Sequence, residues 1–150
     1  MLAVGGVVLV LGSAVALADY LRVVQIFAPR AGAGPLAERI HDGQRSLFFA
    51  HHADYAAVTT AQQPETVAGG FDRAPHYLLD TRLMTAWALA LEAQGDGDRA
   101  RHVAARLKEF HNPAADAFFA PCAEAPVKPF QCEPPQRTPH WREFLPAQPR

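Results

Sequence analysis

The 150 residues carry 14 basic and 15 acidic side chains for a formal net charge of −1, so no broad positive field exists to hold a polyanion. That balance argues against nucleic-acid binding, and the length suits one ordinary domain or a smaller one with an appendage. A composition rich in alanine favours helix, and no run of alternating β-branched residues argues for a sheet. The expected fold class is therefore all-α.

The first 18 residues, Met1 to Ala18, have no side-chain charge, the lower end of what crosses a hydrocarbon core of roughly 30 Å. Residues 1–28 are read as a transmembrane helix that leaves the membrane near Asp19, with Tyr20 at the interface. Two other readings stand beside it. Ala16-Leu17-Ala18 has the small-x-small form that precedes a signal-peptide cleavage site, although nothing basic precedes the apolar run. The third is a buried core helix, which rarely goes so long without a polar face. Arg22 and Arg30 follow the apolar run, and the positive-inside rule taken literally would keep the remainder in the cytoplasm.

Ala28 to Pro35 is a breaker-rich linker. Beyond it, Leu36, Ile40, Leu47, Phe48, Tyr55 and Val58 fall at spacings that fit one helical face, with Gly43 the weak point. Residues 59–75 read as a loop with Gly69-Gly70 as its flexible point. The segment from His76 to Gln94 predicts a helix with Leu79, Leu83, Ala86 and Ala90 on its buried stripe, widened by Trp87 and Leu91. Gly95 supplies a left-handed stop. Asp96 or Asp98 caps the next helix, whose buried face is Ala100, Val103, Ala104, Leu107 and Phe110, and Asn112-Pro113 ends it.

So short a turn makes the two helices antiparallel, and Ala90, Ala100 and Ala104 allow close approach. Residues 86–113 resemble one tetratricopeptide repeat, with Gln94-Gly95-Asp96 at the turn, but no second copy follows at a period near 34. The expected organisation is a helical domain over 29–120, holding this hairpin at 76–112, and a Pro-rich segment over 121–150.

Cys122 and Cys132 are the two cysteines of the chain. Pro126 and Pro129 between them favour an extended or turning backbone, able to bring two Cα atoms within the roughly 4.4–6.8 Å of a disulfide. A disulfide in an oxidising compartment is the leading expectation, worth about 2–3 kcal/mol for so short a loop. Free buried thiols and a metal site remain the rivals, although zinc wants four ligands and His111 and His140 stand at no recognised offset. A segment too proline-rich for helix is then held by a covalent clip, which Phe118, Phe119 and Phe130 pin to the helices.

His51-His52, with His76 and Asp80 further on, invite a metal or acid–base role. Adjacent histidines point about 100° apart on a helix, however, and the plain alternative is one packed and one in solvent. His76 and Asp80 are spaced as an i, i+4 polar pair. Arg45, Arg73 and Arg82 have the fork chemistry that suits a phosphate, or they are merely solvated faces. Candidate headgroup or acceptor contacts are therefore Arg45, His51, His52, His76 and Arg82. Neither a Gly-x-Ser-x-Gly elbow, a phosphate loop nor a His-Glu-x-x-His motif occurs, and no catalytic, cofactor-binding or metal-binding residue is assigned.

Taken together, the apolar run leading into ADYLRVVQIF, then FFAHHADYA, then LLDTRLMTAWALALEAQGDGDRARHVAARLKEF, and finally DAFFAPC, PFQC and HWREF, resemble a known family. It is the C-terminal region of the bacterial membrane-bound Wzy-type polymerase, O-antigen ligase and protein O-oligosaccharyltransferase family, most closely the pilin-type O-oligosaccharyltransferases. The resemblance covers nearly the whole chain and is most specific from Leu78 to Cys122. It implies a multi-pass inner-membrane glycosyltransferase that passes a polyprenyl-diphosphate-linked oligosaccharide to an acceptor hydroxyl on a sugar or on a protein such as pilin. It also implies residues from about 29 onward in the periplasm, in line with the cysteines and against the arginine count. The family's catalytic histidine and arginines belong to loops between earlier spans, so none is carried onto a position here. The expectation is a one-span piece of such an enzyme, inactive by itself. The alternative is a secreted or periplasmic tetratricopeptide-like adaptor cleaved after Ala18, and a metal hydrolase using His51, His52 and His76 is the third reading.

Overall fold

The computed structural model describes residues 2–61 and 69–145. It is all-helical, with no strand among the described residues, and the chain divides into two compact units, 1–57 and 58–150.

The first unit is organised by α1 (Leu2–Phe27), α2 (Leu36–Gly43) and the start of α3 (Ala50–Thr60). Helix α1 changes character along its length. From Gly5 to Leu17 the side chains are almost all exposed although apolar, whereas Asp19, Val23 and Ile26 are buried. Val23 and Ile26 share a core with Ala53 and Ala56, against which Ile40 and Phe49 pack. Its last carbonyls, orphaned as at any helix end, are taken by Arg39 of α2: Nη1 donates to the carbonyls of Gln25 (2.5 Å) and Ile26 (3.0 Å). A cation at this end also complements the helix dipole.

The periodic stretch from Leu36 onward is not one helix. It breaks at residues 44–49, and Leu47 and Phe48, expected on the core face, are exposed. The physical reason is a hydrogen-bonding demand from α1, described below.

The second unit is built on α5 (Thr81–Ala93) and α6 (Gly97–Leu107), the antiparallel hairpin that the sequence predicts. Gly95 takes φ +80° at the turn, and Asp96 rather than Asp98 caps α6, accepting from Arg99 N. Met84, Ala88 and Leu91 face Ala100, Val103, Ala104 and Leu107 in one buried cluster. Alanines at 88, 100 and 104 let the two backbones approach, as small residues do.

Helix α5 starts at Thr81, not at His76. Asp80 is its cap, accepting from Leu83 N at 2.7 Å, while His76 lies on the separate one-turn α4 (Ala74–Tyr77). Leu79 consequently lies between the two helices, flanked by the extended Leu78 and Asp80, and is exposed rather than on the buried stripe. Before α4, residues 69–72 form a 3-10 turn, so Gly69-Gly70 is structured; residues 62–68 of the expected loop lie outside the described residues.

Asn112-Pro113 begins a helix instead of only ending one. After a 3-10 turn at 108–110, His111 adopts φ 47°, Asn112 caps α7 (Pro113–Phe119), and α8 (Pro121–Glu124) follows. The segment of 116–135 is thus partly helical, because Pro121 stands at the first turn of α8, where no N–H is needed, while Pro126, Pro129, Pro134 and Pro135 lie outside the helical turns. Cys122 and Cys132 form a disulfide with Cα atoms 5.4 Å apart. Phe118, Phe119 and Phe130 do pack on the hairpin core, joined there by Phe144.

Candidate functional site: an acidic anchor point and a capped hairpin

Asp19 carries a buried carboxylate that ties α1 to the turn at 44–49. Ser46 Oγ donates to its Oδ2 at 2.6 Å, Phe48 N to the same oxygen at 2.9 Å and Leu47 N to Oδ1 at 3.1 Å. Arg22 Nη1 adds a longer contact at 3.4 Å. Ser46 Oγ also accepts from Phe49 N at 2.8 Å, so one carboxylate and one hydroxyl together satisfy the N–H groups of the three residues that precede α3. A buried carboxylate persists only when its lone pairs are used in this way. Gln44 Nε2 donates to Asp54 Oδ1 at 3.0 Å and fixes the other side of the turn.

Arg45 is exposed within that turn, and His51 and His52 open α3 half-buried, with ring centroids 4.3 Å apart. The two rings lie against each other instead of diverging. His76 and Arg82 are exposed in the second unit. His76 and Asp80 do not form an i, i+4 pair along one helix, since α4 ends at Tyr77 and α5 begins beyond Asp80. Among the described residues no group of three or more His, Cys, Asp or Glu is gathered to hold a metal.

In the second unit a half-open cavity of about 490 Å³ is lined by Phe71, Trp87, Gln94, Arg99, Glu143 and Phe144, among others. Phe71 and Trp87 are nearly parallel at 6.3 Å, and Phe144 meets Trp87 edge-on at 5.5 Å. Arg99 stands 6.0 Å over the Phe144 ring, paired with Asp96 at 2.6 Å and donating to the carbonyl of Glu143. Its charge is thereby committed to holding the C-terminal turn at 141–144 on α6.

That turn is reinforced from outside. Arg137 grips Glu143 through two contacts of 2.8 and 2.6 Å and reaches Asp98 at 3.4 Å. The Arg137 hydrogen bond, aided by the His140 N–H, pulls the Glu143 carboxyl down to about 2 and raises Arg137 in return. His102 lies against Phe144 at 5.8 Å. Partial burial and the Arg106 charge lower its pKa and favour the neutral ring.

Neither Asp19 as a tertiary anchor nor Arg99 and Phe144 as a tail clamp stood out in the sequence. One signal was available: Ser46 three residues before Phe49 is a turn signature that splits an apparent long helix. No family model, curated protein or solved structure matches this chain.

Proposed function

We propose that the chain is the C-terminal region of a membrane glycosyltransferase of the Wzy-type polymerase, O-antigen ligase or O-oligosaccharyltransferase kind, serving as its non-catalytic periplasmic docking or support domain. The observation that carries the reading is an apolar helix, Gly5–Phe27, long and apolar enough to cross a membrane, followed by a hairpin with a disulfide-clipped tail. Structural disulfides persist in oxidising compartments such as the periplasm, which supports that side of the inner membrane. The partners on this reading are the upstream transmembrane part of the same enzyme, its polyprenyl-diphosphate-linked oligosaccharide and an acceptor such as pilin.

The chain itself holds no catalytic role on this reading. Incubated with lipid-linked donor and acceptor, it yields no glycan transfer; measurable product without any upstream region refutes the assignment. Reading the DNA upstream of Met1 gives an independent check, where further apolar spans in frame are expected.

A second reading, a periplasmic adaptor released after Ala18, is favoured by one observation. Among the described side chains of α1 the buried ones, Asp19, Val23 and Ile26, all lie beyond Ala18, so removal of residues 1–18 takes none of them from the core of the first unit. A mature amino terminus at Asp19, found by mass spectrometry, selects this reading over the anchored one.

A further inference from the structure

The turn at 44–49 holds two large apolar side chains in the open. Leu47 is 77% exposed and Phe48 57% exposed, yet the N–H groups of these two residues are fixed on the Asp19 carboxylate. A turn tied down so closely is not displaying them through looseness. Tyr20, half-exposed on α1, meets Phe49 edge-on at 5.7 Å, and Phe49 meets Phe48 at 6.3 Å. An aromatic band therefore runs from α1 onto the turn, and Val15 and Leu17 earlier on α1 are exposed as well.

We propose that this turn is a second membrane-contact element, with Leu47 and Phe48 entering the boundary between acyl chains and headgroups of the leaflet from which α1 emerges. The inference rests on α1 being a span. At 1.5 Å per residue, α1 from Leu2 to Asp19 rises about 27 Å, close to the roughly 30 Å hydrocarbon thickness. Asp19 then lies at the boundary, and the Leu47 and Phe48 backbones, within 3.1 Å of its carboxylate, share its depth. Side chains of this size match the shallow insertion of interfacial elements, about 5–10 Å. Tyr20 has the amphipathic ring that such a boundary favours, and the exposed Arg45 can direct its guanidinium at headgroup phosphates. The hydrogen bonds to Asp19 give its carboxylate partners at a depth where water is scarce.

The experiment places the full chain in two sets of phospholipid vesicles, one with acyl chains brominated near the headgroup to reach probes at the boundary and one brominated near the chain ends to reach the mid-span probe about 15 Å deeper. Three variants, Leu9→Trp, Leu47→Trp and Phe48→Trp, are each read as the difference from the parent, which keeps Trp87 and Trp141 out of the signal. All three positions are exposed, so the core is undisturbed. The expected result is blue-shifted emission at 47 and 48 that bromolipid quenches several-fold and acrylamide does not. Quenching of the Leu9 probe by bromolipid while those at 47 and 48 answer only to acrylamide overturns the proposal and leaves the span intact. Silence of both to either quencher means that protein covers the turn, and overturns it equally. A Leu9 probe untouched by bromolipid removes the span reading, and the proposal with it.

Discussion

Ser46 Oγ donates to Asp19 Oδ2 at 2.6 Å across 27 residues of sequence, and through this bond the interior of α1 fixes the turn that leads into α3. Asp19→Ala removes the acceptor and leaves the hydroxyl together with the Leu47 and Phe48 N–H groups unpaired in a partly buried place. Asp19→Asn retains a carbonyl oxygen and keeps part of the pattern. Thermal unfolding in detergent followed by circular dichroism is expected to rank parent above Asn above Ala. Equal midpoints for all three would show the bond to be ornamental.

Gly43, buried at the end of α2, is set by space. A Cβ there would meet Ile26 Cδ1 at 2.7 Å and Ala53 Cβ at 3.0 Å. Ile26 has a movable tip, but Ala53 Cβ is fixed to backbone. Gly43→Ala is expected to destabilise by about 1–3 kcal/mol through overpacking, in spite of alanine's better helix propensity. Adding Ala53→Gly should recover part of the loss, and a double-mutant cycle by urea titration measures the coupling.

Leu107 is fully buried between the hairpin helices, so Leu107→Ala should cost about 2–5 kcal/mol. Leu89 on the neighbouring helix is 44% exposed, and Leu89→Ala serves as the reference, with a loss several-fold smaller. Denaturant unfolding of both variants provides the comparison.

The Cys122–Cys132 disulfide closes a loop of sequence separation 10, for which the chain-entropy account gives about 2–3 kcal/mol. The Cys122→Ser/Cys132→Ser double variant should unfold at a lower midpoint than the oxidised parent and coincide with the parent under reductant. A variant that matches the oxidised protein would mean that Phe118, Phe119 and Phe130 hold the tail unaided.

Glu143 is drawn down to about 2 by Arg137 and the His140 N–H. The unfolded chain therefore takes up this proton first as the solution is acidified. The associated stability is complete above the ordinary glutamate value and is lost as pH falls towards about 2. Solvent screening keeps it modest. Glu143→Gln should flatten the acid limb of the stability profile between pH 5 and 2, read from the emission of Trp141 on the same turn. An unchanged profile would assign the acid sensitivity elsewhere.

The hairpin was legible because its signals are local. Gly95 and Asp96 punctuate two runs whose apolar residues recur at helical spacing, and Ala100 and Ala104 follow from that register, whereas Ala88, not the expected Ala90, is the alanine of α5 in the hairpin core. Cys122 and Cys132 were legible for the same reason, since few other chemistries suit two cysteines among prolines. The break at 44–49 was hidden because its cause, Asp19, lies 27 to 29 residues away, beyond what periodicity samples. Leu79 misled in another way. Its spacing fits the stripe of α5, but Asp80 caps the helix just after it, and the cap outweighed the pattern. Arg99 and Phe144 were invisible as a pair because the sequence carries no record that the tail folds back over α6.

The continuity of α1 through Asp19 has a mechanical meaning. The same rod that bears Val15 and Leu17 outward also buries Val23 and Ile26 beneath α3, with no hinge between them. Any torque or piston-like shift applied to the apolar half is transmitted undamped to the first unit. A single residue inserted after Ala18 would swivel that unit by about 100° and lift it by about 1.5 Å, turning Leu47 and Phe48 to a new azimuth.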